Sequence, residues 1–292
     1  MKLTKVTALL LTSATVLGGL LTVAPATTHA ATQENNAIAN NGVALPQTDT
    51  TKAGISFGEP NPNGNSGYLR LQKVPAILDF GNHERFDSSF PQFTADGLNL
   101  SNASNNRYAS YKSTETNMTA ILNTSDSALT EVNGKAWATV VDKQDTRTNA
   151  DTQNTATPGD WQLSVKADGP LEKVDDQGNS LGSPTDATLN FNNTAYGETG
   201  AVQGLTNEAQ DAGYTPTAAL TKVSDIKKSV TVDVATTSTS QPVANAQNGE
   251  GAGANVFGWA KKDITLTLPS SFAAENAIYQ TSLTWTLSTG IN

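Results

Sequence analysis

The chain has 292 residues, with 18 Lys and Arg against 27 Asp and Glu, a formal charge of −9, and no Cys. Nucleic acid is excluded as a partner, because phosphate contacts need clustered cations and the longest basic runs are the pairs Lys227-Lys228 and Lys261-Lys262. The lack of Cys excludes disulfides, thiolate metal sites, a Cys nucleophile and a lipidated Cys anchor.

Residues 1–30 read as a signal peptide. Lys2 and Lys5 give a cationic start, Val6 to Leu21 an apolar run, and Thr28-His29-Ala30 a small-x-small cleavage site. The apolar run falls short of the ~20 residues that span a bilayer. No later segment approaches that length, so the mature chain is expected outside the cell without a membrane anchor. Losing Lys2 and Lys5 leaves 16 basic residues against 27 acidic ones, a formal −11. Export without any Cys fits a Gram-positive cell better than an endoplasmic reticulum. Residues 31–53, rich in Asn, Gln, Thr and Ala, read as a disordered leader that cannot bury enough surface to offset ordering. It contains "LPQTDT" (Leu45 to Thr50), which resembles a sortase signal but carries Asp49 after the Thr and lies far from any apolar tail. It is read as a chance match.

From residue 54 the text is strand, turn, strand. "YLRLQ" from Tyr68, "AILDF" from Ala76, "WATVV" from Trp137 and "WQLSV" from Trp161 are short β-branched or aromatic runs. "ATLNF" from Ala187, "VTVDV" from Val230, "ITLTLP" from Ile264 and "LTWTLS" from Leu283 continue them. Several alternate with period 2, as half-buried antiparallel strands require. "PNPNGNSG" from Pro60, "DDQGN" from Asp175 and "NGEGAGAN" from Asn248 supply loop chemistry. Helical periodicity is weak; only "TAILNTSDSALTEV" from Thr119 is a candidate for a short helix. The expectation is an antiparallel β-sandwich over residues 54–292, all-β with little helix. Val230, Val232 and Val234 on one strand, and Ile264, Leu266 and Leu268 on another, point inward.

Trp161-Gln162-Leu163 and Trp285-Thr286-Leu287 repeat one pattern 124 positions apart. These tripeptides resemble the paired motifs of the WxL cell-wall-binding domain of Gram-positive bacterial surfaces. "YLRLQKVPAILDFG" from Tyr68 resembles that family's opening, "DATLNFNN" from Asp186 its middle strand, and "DITLTLPSSFAAENAIYQTSLTWTLS" its closing hairpin. The departure is Ala277-Ile278 before Tyr279, where the family often carries Gly. The resemblance implies non-covalent attachment to the cell wall through peptidoglycan or another wall component. It also implies company with another surface protein, and in some members contact with host or environmental ligands. The alternative function is a structural or adhesive subunit held at the surface by a partner protein.

Two roles are open for Trp161, Leu163, Trp285 and Leu287. Aromatic rings stack on sugars, so they could form a wall-binding face; large apolar side chains in alternating strands are more often core anchors. The core role is expected, more firmly for Trp285, and the last Trp-x-Leu strand is expected to close the sandwich. Catalysis is not expected, nor a cofactor or metal. His83 is the one histidine beyond the signal and lies in "GNHERF", read as an exposed turn. Asp79 with Glu84 is a carboxylate pair expected by chance. Asp142, Asp145 and Asp151, or Asp175 and Asp176, lack EF-hand spacing and read as solvated loop residues. The acidic charge is unattractive to teichoic acids, so a wall ligand is expected to be neutral glycan or peptide, a divalent-cation bridge, or a protein.

Overall fold

Strands form wherever the sequence lets at least one face bury. The computed structural model of the protein describes residues 47–53, 68–83, 86–102, 125–144, 157–175, 177–216 and 219–289. Of these residues 46% are strand and 8% helix, so the fold is all-β, as the turn-punctuated text predicts. The strands are β1 (Gln47–Ala53), β2 (Leu69–Lys73), β3 (Gln92–Thr94), β4 (Ala136–Asp142), β5 (Trp161–Ala167), β6 (Leu171–Val174), β7 (Ser180–Thr185) and β8 (Ala187–Asn192). They continue with β9 (Ala195–Thr199), β10 (Asp225–Ile226), β11 (Ser229–Val234), β12 (Gln241–Ala246), β13 (Gly253–Trp259), β14 (Ile264–Thr267) and β15 (Ile278–Thr289). A short helix, α1 (Val202–Thr206), follows β9.

All pairings are antiparallel, in three sheets. The first links β10, β12, β5, β15, β6 and β7, with β1 also on β15. The second runs β11-β8-β14-β3 and the third β2-β4-β13-β9. Residues Leu283 to Leu287 of β15 pair with β5 and also with β1, which therefore flank this strand on opposite edges.

The three sheets enclose one main core, to which the first gives Val165 and Leu283, the second Leu189 and Val232, and the third Leu71 and Val140. β11 shows how sequence sets this: Val230, Val232 and Val234 are buried while Ser229, Thr231 and Asp233 are exposed. β4 and β13 differ, being buried along their whole length. One face of each joins the main core. The other packs Trp137, Val141, Ala254 and Val256 on Leu129, Val132, Val202 and Leu205, a second apolar cluster closed by α1 and the turn at Ser127–Leu129.

Several expectations need correction. Residues 47–53, assigned to a disordered leader, form β1 along β15. Low apolar content does not forbid this, because an open strand edge recruits a polar segment through its backbone. "AILDF" is not a strand: it follows Pro75, and its Ile77 and Leu78 are buried in irregular chain. The signal peptide, residues 31–46 and the start of the candidate helix at Thr119 lie outside the described residues. Among the described residues no helix is long and apolar enough to cross a membrane.

Candidate functional site

The two Trp-x-Leu segments are adjacent antiparallel strands. In the β5–β15 register Leu163 faces Leu287, Trp161 faces Thr289 and Val165 faces Trp285. The motifs are thus related by a local two-fold through the Leu pair, with the indoles at opposite ends. Four residue steps at ~3.3 Å separate them by roughly 13 Å along the strand. Trp161, Leu163, Trp285 and Leu287 are all fully buried. The middle residues of the motifs, Gln162 and Thr286, lie on the outward face beside Ser164, Lys166, Thr284 and Ser288. There Gln162 Nε2 donates to Asn245 Oδ1 (2.7 Å) and Thr284 Oγ1 to Asp168 Oδ1 (2.6 Å).

Each indole meets its own partner from β13. Trp161 stands edge-on to Phe257 (6.4 Å between ring centres), whereas Trp285 lies against Trp259 (5.8 Å) and Phe191 (5.7 Å). Trp259 also packs on Phe191 (5.1 Å), and its Nε1 donates to Thr194 Oγ1 (3.0 Å). Phe257 and Trp259, two residues apart on one face of β13, therefore clamp both motifs at once. The sequence reading missed them because it took the start of β13 for a loop. The available signal was the nearly continuous apolar run from Ala254 to Trp259, the mark of a strand buried on both faces.

The Trp161 end holds polar chemistry. Tyr196 stacks on Phe257 (5.4 Å), donates to Asn255 Oδ1 (2.7 Å) and accepts from the Val223 N–H (3.3 Å). Asn255 Nδ2 donates to the Gly251 carbonyl (2.6 Å). Asn255 faces Glu198 across the β13–β9 register. Glu198 is 4% exposed, and neither carboxyl oxygen has a hydrogen-bond partner; the Trp161 indole N–H is likewise buried without one. Burial pushes the Glu198 carboxyl up to about 7, against the pull of Lys222 and with the push of Glu250. Burial also pushes the Tyr196 hydroxyl upward, so it stays a neutral donor.

A family model described as "WxL domain surface cell wall-binding" matches residues 26–290. The chain belongs to this WxL family. The matched span takes in both motifs and β1, and the family is one of wall binding at the cell surface, not of enzymes. No curated protein and no solved structure gave a match.

The other polar candidates have structural partners. His83 is half-buried, not in a free turn: its Nε2 lies 2.8 Å from the Phe80 carbonyl and its ring 4.6 Å from Phe93. Asp79 accepts from the Gly81 N–H (2.9 Å); Glu84, Asp145, Asp151 and Asp176 lie outside the described residues. Asp142 is not in a solvated loop but is the buried last residue of β4, accepting from the Gly159 and Gln144 N–H groups (2.7 and 3.0 Å). Asp175 accepts from Asn179 and Gln177 in the β6–β7 turn. Among the described residues no group of three metal-ligating side chains assembles.

One buried ionic cluster was not anticipated. Asp211 pairs with Arg70 and with Lys143 (2.8 Å), and also accepts from Thr206. Burial alone would raise its carboxyl, but these three donors outweigh burial and hold it below the usual range. The cluster ties β2 and the end of β4 to the segment after α1. A carboxylate so fully matched is a cross-link rather than an acid or base.

Proposed function

We propose that this WxL protein is exported and held non-covalently on a Gram-positive cell wall, with peptidoglycan as its ligand. The observation that carries the reading is the wall-binding family match over nearly the whole chain, joined to the pairing of both motifs in one sheet. In this reading the indoles and leucines anchor the fold. The wall is met by the hydroxyl and amide groups that alternate with them, Gln162, Thr284, Thr286 and Ser288. These uncharged donors and acceptors suit neutral sugar and peptide groups better than polyanions, given the acidic chain.

The test is retention of the purified protein on walls stripped of other proteins. Binding is expected, as is release of intact protein from cells by a strong chaotrope. Gln162→Ala with Thr286→Ala is expected to weaken binding while the melting temperature stays within a few degrees. Recovery only after wall-digesting enzymes would overturn non-covalent attachment. Retention on complete walls but not on stripped ones would replace peptidoglycan with a surface-protein partner.

A further inference from the structure

The first Trp-x-Leu motif lies under a cover made from two segments, residues 221–225 and 247–253. They are tied together: Gly251 N–H donates to the Thr221 carbonyl (2.7 Å), and Glu250 accepts from the Ser224 and Gln247 N–H groups (3.1 and 3.0 Å). The cover sits directly on the indole. A Cβ built on Gly251 would come within 3.1 Å of Trp161 Cζ2 and of Val223, and 3.2 Å from Asn255 Oδ1. Gly251 also adopts φ +72°, so glycine is required here by both backbone and contact. Through Gly251 and Asn255 the cover leads to Glu198.

The Trp161 N–H and the Glu198 carboxyl are both buried without partners, the first against Gly251 and the second opposite Asn255, whose side chain bonds Gly251. A neutral carboxyl tolerates such a place at modest cost; a carboxylate without donors does not. We propose that Glu198 is a proton-controlled latch: protonated, it lets the two segments close over Trp161, and on ionisation it loosens them and uncovers the indole edge. The charged and titratable groups around it fit this direction. Lys222 on the cover attracts an ionised Glu198, and Glu250 on the cover repels it. Asp225, beside Glu250, has its charge paired with Lys227 (2.7 Å), and Tyr196 on the same strand stays neutral. From the turn beneath β9, Asp126 is occupied by Thr199 Oγ1 (2.6 Å), and Asn255 on β13 carries no charge. With the carboxyl titrating at about 7, the latch works across neutral pH.

Hydrogen exchange followed by mass spectrometry on the full-length protein at pH 6 and pH 8, expressed as protection factors, tests this. An open state with a solvated carboxyl implies that opening of residues 221–225 and 247–253 rises about tenfold between these pH values. Protection of both segments is expected to lie below that of β4 at each pH, as a local opening requires, and Glu198→Gln is expected to abolish the pH dependence. Unchanged protection of both segments in the wild type, segments no less protected than β4, or the same tenfold change in Glu198→Gln would overturn the latch. If Glu198→Gln does not fold, the wild-type comparison with β4 decides alone. None of these outcomes depends on what the protein binds.

Discussion

The same tripeptide occupies two different environments. Trp285 is wedged between Phe191 and Trp259. Trp161 rests against a single aromatic ring, Phe257, with its N–H unpartnered beneath a glycine-bearing cover and with a buried carboxyl nearby. Packing at the first end is aromatic and polyvalent; at the second it tolerates polar groups that cost stability. A repeated motif therefore fixes strand register through its leucines while leaving each indole to a separate task.

The largest effect is expected from Trp285→Ala. Removing a fully buried indole from an aromatic cluster costs about 3–5 kcal/mol, a large part of a typical domain stability of about 5–15 kcal/mol. Urea melts are expected to show that loss, with wall retention falling in step with the folded fraction. Normal stability with abolished retention would instead make Trp285 a ligand contact and break the comparison.

The pH dependence separates the two ends next. Glu198 keeps its proton in the fold up to about 7, whereas the unfolded chain loses it near the ordinary carboxylate value. Its contribution is thus full in acid and lost as pH rises through about 7; Asp211, held low, acts in the opposite sense and is lost only in strong acid. Between pH 5 and 8 the wild type is expected to lose about 1–2 kcal/mol more stability than Glu198→Gln, after allowance for partial solvation. Parallel curves for the two proteins would remove Glu198 from the account.

Alternation made β5, β8, β11 and β15 readable, since each buries one face and shows the other to water. It failed for β13, where Ala254, Val256, Phe257 and Trp259 are buried on both faces and the leading glycines imitate a loop. β1 was illegible for another reason: its pairing with β15 is a backbone interaction that side-chain composition does not record. The Trp-x-Leu residues were visible as a motif, but Glu198 was not. Its character comes from burial without hydrogen-bond partners, and "AYGET" holds no sign of that. Gly251 was legible as a loop glycine, but its contact with Trp161 was not.

A smaller difference is expected from two glycines with nearly equal backbone angles. Gly251 (φ +72°) touches Trp161 and Val223, while Gly134 (φ +74°) has nothing within 4 Å of a new Cβ. Alanine costs about 1–2 kcal/mol in backbone strain at either position. Gly251→Ala is expected to cost about 1 kcal/mol beyond Gly134→Ala, because the added methyl must push the indole or Val223 aside. Equal losses in thermal melts would show that the cover does not bear on Trp161.

The smallest effect is expected at Trp161 itself, and it bears most directly on the comparison. Phenylalanine in place of Trp161 removes apolar area, which destabilises, and also removes a buried N–H that has no acceptor. Leaving a donor unsatisfied costs about 1–3 kcal/mol, so its loss offsets much of the lost packing. Trp161→Phe is therefore expected to change stability by less than about 1 kcal/mol. Trp285 is not among the unpartnered buried groups, so Trp285→Phe lacks that relief and is expected to cost about 1–2 kcal/mol. Denaturant melts of the two variants against the wild type measure the gap directly. If Trp161→Phe proves the more damaging, the polar end is the tighter anchor and the ranking of the two motifs is reversed.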